Sequence, residues 1–426
     1  MIFYFFIIRI AALFGHRKAR LLVRGQREWR RSVVSKQPSA IGELKGCVWI
    51  HAASVGEFEQ ARPLIERLRQ EQPNRKILLT FFSPSGYELR KNYDKVDAVR
   101  YLPFATRRNA KRFLTLVEPE MAIFVKYEFW PAYLRELKKR DIPTYSISAI
   151  FRPKQLFFLP WGKEHLKLLK CFTHIYVQDK ASEALLKAHG VSHCSVAGDT
   201  RFDRVKRLAI SDERLADERM RGLEVIEEFV EGCQHVIVAG STWPEDERLL
   251  AQYQFRDESL EFRGTKLILV PHEIDEAHMH TIFEIFKGRL VRYSQVQRDD
   301  VPCTKDSRQN ILHRADVLVI DTIGLLSSIY RYGQVAYIGG GFGVGIHNTI
   351  EAAVYGIPVL FGPNYQHFRE AAGLIAAGAA QSVSSYEELE TALNTALQNH
   401  ETMGAKAAQY VQTEIGATDK IYQDIF

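Results

Sequence analysis

From about residue 46 to the C-terminus the chain alternates two hydrophobic rhythms. Short runs of β-branched and aliphatic residues predict strands, and the longer amphipathic or Ala-rich stretches between them predict helices. In the first half the expected strands are Val48 to His51, Ile77 to Phe81, Met121 to Val125, Thr144 to Ile147, His174 to Val177 and Cys194 to Val196. In the second they are His235 to Ala239, Lys266 to Val270, Val317 to Ile320, Val335 to Ile338, Pro358 to Phe361 and Ala380 to Val383. Such alternation is the pattern of βαβ units around a parallel sheet, and it occurs twice. Between the halves, Asp203 to Gln234 is charged, helical in pattern and free of strand signals. The expectation is an α/β chain of two Rossmann-like domains, residues 32–210 and 211–426, the second including the C-terminal helices. The domains are expected to face a central cleft at the carboxyl ends of their sheets, where α/β folds place ligands.

Residues 1–31 follow another pattern. Met1 to Phe14 is apolar apart from Arg9, shorter than the roughly 20 residues a spanning helix needs. The basic residues follow the apolar run, the reverse of a cleaved signal peptide. Between Arg9 and Arg31 there are eight Lys or Arg residues against one acid, Glu28. An apolar helix followed by a basic stretch suits an anionic membrane surface, so residues 1–31 are read as a membrane-associating segment. The competing reading is a first helix buried on the protein's own core, since Ile2 to Ile7 would be apolar all round a helix.

The composition, 46% hydrophobic and 25% charged over 426 residues, supplies two cores and leaves no disordered tail. The net charge of +6 is modest and its excess lies beside the apolar segment, with no recognition motif, which argues against nucleic acid. Five scattered cysteines make no zinc-type or redox spacing and suit a reducing compartment.

Two strand-to-helix turns carry candidate chemistry. Gly339-Gly340-Gly341-Phe342-Gly343-Val344-Gly345 follows the strand ending at Ile338 and precedes a helix opening with Asn348, Thr349, Ile350 and Glu351. Glycines let backbone N–H groups approach a phosphate, and a helix N-terminus favours an anion. The pattern matches neither a P-loop nor a dinucleotide fingerprint. Asn348 and Glu351, three apart, share a helix face, and Glu351 is read as a ribose ligand or as a charge complementing the helix dipole. The second turn, His51-Ala52-Ala53-Ser54-Val55-Gly56-Glu57, puts Glu57 at the carboxyl end of a strand. There it is either a first-turn helix acid or, with its pKa raised by burial, a general base. His272, Glu273, Asp275, His278 and His280 lack metal-ligand spacing, and no metal or cofactor is expected.

These pieces together resemble the Kdo (3-deoxy-D-manno-octulosonic acid) transferase family, inverting glycosyltransferases of the GT-B fold. The segments that carry the likeness, in order, are RLLVRG (Arg20 to Gly25), HAASVGE (His51 to Glu57), EFWP (Glu128 to Pro131), GDTRFD (Gly198 to Asp203), GSTWPEDE (Gly240 to Glu247), VPHEIDE (Val270 to Glu276), DTIG (Asp321 to Gly324), Tyr337 to Ala353, and IPVLFGP (Ile357 to Pro363).

The resemblance implies transfer of Kdo from CMP-Kdo to a lipid A precursor on the cytoplasmic face of a bacterial inner membrane. It makes Glu57 the catalytic base and puts the CMP contacts on Pro271 and His272, on Ile323, Gly324 and Leu325, and on Asn348 to Glu351. Gly339 to Gly341, with Ser241 and Thr242, are expected to add donors to the phosphate or the sugar carboxylate. The chain departs from the family pattern at four places. Lys126 stands where an acid is usual and is expected to contact the leaving phosphate. Arg201 replaces a usual Lys and keeps its charge. His272 replaces an Arg, and Leu325 an acid. Alternatives are another GT-B transferase with a different nucleotide sugar and a non-catalytic membrane-docked nucleotide-binding protein.

Overall fold

A computed structural model of the chain describes residues 8, 10–34, 44–211, 216–255, 264–287, 289–297, 305–343 and 345–426. The chain forms two compact units, Met1–Arg204 with Glu414–Phe426, and Val205–Thr413. Each is a Rossmann-like α/β layer structure around a seven-stranded sheet whose paired strands all run parallel.

In the first unit the strands are β1 (Val48–Ala52), β2 (Ile77–Phe81), β3 (Ala98–Tyr101), β4 (Met121–Val125), β5 (Thr144–Ala149), β6 (His174–Val177) and β7 (Cys194–Val196), in the order β3-β2-β1-β4-β5-β6-β7. Side chains alternate across a strand. Trp49 therefore joins one core with Phe113 and Tyr133, while Val48 and Ile50 join another with Phe58 and Leu64 on the opposite face. Burial on both faces is why β1, β2 and β4 are apolar almost without interruption.

The second unit holds β8 (Val236–Thr242), β9 (Lys266–Pro271), β10 (Leu290–Arg292), β11 (Val317–Val319), β12 (Val335–Ile338), β13 (Val359–Phe361) and β14 (Ala380–Ser382), ordered β10-β11-β9-β8-β12-β13-β14. In both sheets the direction of strand addition reverses beside one strand, β1 in the first and β8 in the second. Such a switch point opens a crevice at the carboxyl ends.

Two strands, β3 and β10, escape the sequence pattern. Each is short and sits at a sheet edge, where Arg100 and Arg292 remain part-exposed, so neither shows a continuous apolar run.

The C-terminus also differs from expectation. Residues 211–426 were assigned to one domain, but Glu414–Phe426 belongs to the first unit. Helix Ala417–Ile425 buries Ile421 in the core beneath β1, and Asp203 accepts from the N–H groups of Gly416 and Thr418, both at 2.7 Å, and from the Thr418 hydroxyl at 2.6 Å.

At the other end, residues 1–7 and 9 of the expected membrane-associating segment lie outside the described residues. The basic stretch is a helix, Arg17–Val34, docked on the first unit through Ala19, Leu22 and Trp29. Among the described residues no helix is long and apolar enough to cross a membrane.

Candidate active site

In the first unit the switch-point crevice lies between the ends of β1 and β4. After β1 the chain turns through Ala53 and Ser54 into helix Val55–Glu71, which places Glu57 in the first turn. Oε2 of Glu57 is buried and has no hydrogen-bond partner. Burial, and next the like charge of Glu128, push its carboxyl above the ordinary value, against the helix-start N–H groups and Lys126, which pull it down. The structure thus brings Glu57, Lys126 and Glu128 into one electrostatic group. Lys126 follows β4 with a φ of +59°, its N–H donating to the Ile147 carbonyl at 2.9 Å.

Glu128 is held by partners that the sequence does not link. His51, fully buried in β1, donates from Nδ1 to the Thr80 carbonyl at 3.0 Å, and its Nε2 lies 3.2 Å from Glu128 Oε2. The Trp130 indole N–H is shared between Glu128 Oε2 and His51 Nε2. Residues 51, 80 and 130, from three segments scattered along the chain, thereby fix one carboxylate beside another. His51 and Glu128 lie inside quoted motifs, but nothing in the motifs pairs them.

Arg201 opens helix Arg201–Ser211 in the same unit. Its Nε and Nη2 donate to Asp199 Oδ2 at 2.9 and 2.7 Å, and its N–H to Oδ1 at 3.0 Å. Burial alone would raise the Asp199 carboxyl, but Arg201's charge and the bonds from Arg201 and Gln60 outweigh it and hold it below the ordinary value. Gln60, one turn beyond Glu57, donates to Asp199 at 3.1 Å, and the Thr200 hydroxyl donates to the Gln60 carbonyl at 2.6 Å. Arg201 and its neighbours therefore anchor the Glu57 helix, a function not visible in the motif alone.

In the second unit the remaining candidates gather at the carboxyl ends of four adjacent strands, β11, β9, β8 and β12. Two expectations about the glycine loop need correction. The N–H of Gly339 donates to the Gly240 carbonyl and that of Gly340 to Asp246 Oδ2, both at 2.9 Å, so neither is directed at a phosphate. A Cβ on Gly341 would stand 2.5 Å from the Gly362 Cα, so this glycine serves close backbone packing. The loop also does not run straight into a long helix. Its helix, Ile350–Ala353, is a single turn, and the dipole argument weakens accordingly. Thr242 is likewise committed, its buried hydroxyl donating to Glu247 Oε1 at 3.0 Å. Ser241 adopts a φ of +54° where the β8–β9 register shifts.

What the crevice does present is a set of rings and amides. The His272 ring stacks on Trp243 at 4.8 Å and lies 4.5 Å from His347. The Trp243 indole N–H donates to His347 Nε2 at 3.3 Å, which leaves the His347 proton on Nδ1. Burial, and then His272, push His347 down to about 4, so it is a neutral donor at physiological pH. Asn348 Nδ2 donates to Glu351 Oε1 at 2.8 Å, orienting that carboxylate, and the Thr349 hydroxyl is buried with no partner. Pro271 ends β9, Ile323 is 91% exposed, Gly324 has a φ of +100°, and Leu325 leads into the short helix Leu326–Ile329. His278 is used by Glu247 and by the Glu273 carbonyl, at 2.9 and 2.8 Å. Among the described residues no group of three His, Cys, Asp or Glu is arranged to hold a metal.

The sequence of the first unit matches a known family model. Residues 25–204 match the family model of the 3-deoxy-D-manno-octulosonic-acid transferases, and the 3-deoxy-D-manno-octulosonic acid transferase of Aquifex aeolicus is 29% identical over 77% of this chain and 79% of its own. Residues 25–204 thus carry the signature of a Kdo transferase domain, and the likeness to curated Kdo transferases runs over most of the chain. The chain is a glycosyltransferase. The transferase of the same name from Haemophilus influenzae is 24% identical over 88% of this chain and 85% of its own. Among solved structures, the UDP-GlcNAc 2-epimerase from Neisseria meningitidis (TM-score 0.62, 15% identity, 88% of this chain and 98% of that one) and Acinetobacter baumannii MurG (0.52, 13%, 89% and 99%) share the fold. The Kdo transferase family match ends at the boundary of the first unit, which holds Glu57, Lys126 and Arg201.

Proposed function

We propose that this glycosyltransferase moves Kdo from CMP-Kdo to a lipid A precursor of the lipid IVA type, with inversion, at the cytoplasmic face of the inner membrane. The observation that carries the reading is the partnerless, buried Oε2 of Glu57 at the β1 switch point, with its carboxyl raised toward a base's working range. The acceptor supplies the missing partner. Glu57 takes the proton of a glucosamine hydroxyl as that oxygen bonds to the anomeric carbon of Kdo. The bond to the CMP phosphate breaks with its electron pair on the phosphate oxygen, and the anomeric centre inverts.

Negative charge grows on the phosphate during this step, so fixed donors and cations near it lower the barrier. In the second unit neutral His347, carrying its proton on Nδ1, supplies such a donor, and in the first unit Lys126 supplies a cation in the field of Glu57. Glu351, steadied by Asn348, takes the ribose diol, while Pro271, His272 and Ile323 to Leu325 bracket the rest of CMP. Arg201 acts through Asp199 to hold the Glu57 helix. No metal or cofactor enters the scheme. The apolar start of the chain and its basic helix keep the protein on the anionic bilayer that holds the acceptor.

The test is transfer from CMP-Kdo to a tetra-acylated lipid A precursor by the parent and by Glu57→Gln. Transfer by the parent and a loss of at least about a hundredfold in the variant support the reading. Comparable activity in the variant removes Glu57 as base, and no transfer by the parent removes the substrate pair.

A further inference from the structure

We propose that Trp130 is the sugar platform of the acceptor subsite: its indole stacks against the apolar face of a pyranose ring and so presents a hydroxyl of that ring to Glu57. The inference rests on the acceptor reading above and deepens it, by naming the side chain that holds the ring.

The segment that follows β4, residues 126–132, is half-buried throughout and carries three aromatic side chains, Tyr127, Phe129 and Trp130. Packing accounts for Phe129. Its ring meets those of Phe151, Phe157 and Phe172 at 5.7, 5.1 and 5.9 Å, in the core of the first unit. Trp130 turns the other way, toward the ends of the central strands. Phe82, which directly follows β2, tilts against it at 4.9 Å, and His51 of β1 meets it edge-on at 6.1 Å. Its indole N–H is shared between Glu128 Oε2 and His51 Nε2. Two ring contacts and one polar tether leave the indole a single orientation, yet it stays partly open to solvent. An indole kept for the core would be covered as Trp49 is, at 0% exposure. A large ring fixed by its N–H and left part-open at the crevice that holds Glu57 is instead a binding surface.

The class of ligand follows from what surrounds the ring. A pyranose presents C–H groups across its faces and hydroxyls around its rim, so its face suits an aromatic ring and its rim suits carboxylates, which only accept. Both are here. Glu57 offers its partnerless, buried Oε2. Glu128 has Oε2 held by Trp130 and His51, which leaves Oε1 for a second hydroxyl of the same ring. A hydrocarbon chain would use the indole but waste both carboxylates. A nucleotide would stack as well, but its phosphate would meet two acids against the single cation Lys126.

The test compares Trp130→Leu, Trp130→Phe and Phe129→Leu in the full-length protein, on detergent-dispersed lipid A precursor and on the same precursor stripped of its acyl chains. Trp130→Leu removes the flat face and is expected to raise the KM for either acceptor roughly tenfold or more, with the KM for CMP-Kdo within about twofold of the parent. Trp130→Phe keeps a ring and loses the N–H to Glu128, so its acceptor KM should stay within about threefold while kcat falls. Phe129→Leu, a change in the core, should lower the melting temperature and leave the acceptor KM alone. Stacking is read directly by titrating the deacylated precursor into the parent, whose tryptophan fluorescence should shift, and into Trp130→Phe, where the shift should vanish. An acceptor KM for Trp130→Leu within about threefold of the parent overturns the proposal, as does an equal rise in Phe129→Leu or a fluorescence shift that survives in Trp130→Phe. If the parent transfers nothing, the acceptor reading fails instead, and the titration alone decides the platform, with the methyl glycoside of N-acetylglucosamine as probe. A shift lost in Trp130→Phe then upholds it, and no shift in the parent overturns it.

Discussion

Asp246 is the residue on which the glycine loop hangs, and replacing it gives a prediction whose size can be worked out atom by atom. Its carboxylate is 1% exposed and accepts three bonds, from the N–H groups of Trp243 and Gly340 on Oδ2, each 2.9 Å, and from the Tyr337 hydroxyl on Oδ1 at 2.8 Å. Asp246→Ala strands all three donors in a buried place. A buried donor left unpaired costs about 1–3 kcal/mol. Tyr337 can turn its hydroxyl, so the expected loss is about 4 kcal/mol. Asp246→Asn is the informative contrast. With its amide oxygen at the Oδ2 position it keeps both N–H bonds, and the Tyr337 hydroxyl can rotate to accept from its NH2. The loss of charge costs little, because burial already opposes ionisation of this carboxyl. The Asn variant is therefore expected within about 1 kcal/mol of the parent. For a unit of 209 residues (205 to 413), 4 kcal/mol lowers the melting temperature by roughly 8–16 °C. The same contrast should appear in CMP binding, since the loop carries His347 beside it. Differential scanning calorimetry and CMP titration check both. An Ala variant that melts and binds like the Asn variant would refute the idea that these three bonds position the loop.

Three further outcomes follow from the same structure. Glu128→Gln removes the like charge that helps raise Glu57, so Glu57 ionises at lower pH and the acid limb of the kcat/KM profile should move down; Lys126→Met should move it up. His278 is held above its ordinary value by Glu247, in spite of burial, so its stabilising effect is complete below the unfolded value and fades as pH rises through the folded one. His278→Gln should accordingly lower the melting temperature most in mildly acidic buffer and less in alkaline buffer, as read by thermal melts across pH. Asp203→Ala frees the Gly416 and Thr418 donors and is expected to cost about 2–4 kcal/mol and to open the chain near Glu414 to limited proteolysis.

Much of the architecture was legible because parallel strands buried on both faces read as apolar runs. All twelve expected strands exist, and the two missed ones are short edge strands. The site was legible in a different degree. Glu57 stands out as an acid after a strand, but its orphan oxygen and the His51, Thr80, Glu128 and Trp130 cluster join residues separated by up to 79 positions, and no local pattern encodes that. Glycines misled for a physical reason. A glycine that lets a ligand approach and one that lets another backbone approach look identical in sequence, and here Gly339 and Gly341 pack against Ser241 and Gly362. The return of the C-terminal helix was hidden because its tether, Asp203, sits more than two hundred residues away.

Backbone strain gives an independent pointer to where the chemistry lies. Among the described residues, six that are not glycine have positive φ. Glu118, Asp141 and Lys287 follow helices, at 40°, 53° and 51°, where a left-handed residue ordinarily ends the helix. The other three, Lys126, Ser148 and Ser241, lie at or just after the carboxyl ends of β4, β5 and β8. Such a conformation costs about 1–3 kcal/mol and persists only when the surroundings impose it. Where no side chain is needed the chain uses glycine, as at Gly198 and Gly324 with φ of +106° and +100°. A side chain kept under strain therefore has work that glycine cannot do. Ser148 shows what that work is: its hydroxyl meets Thr200 at 3.0 Å and thereby braces the Glu57 helix through Gln60. Lys126 places its cation in the field of Glu57, and Ser241 stands against the glycine loop at the second unit's switch point. Lys126 and Ser241 thus store strain beside the switch points of their units, and Ser148 stores it one strand beyond β4, where it braces the helix that carries Glu57.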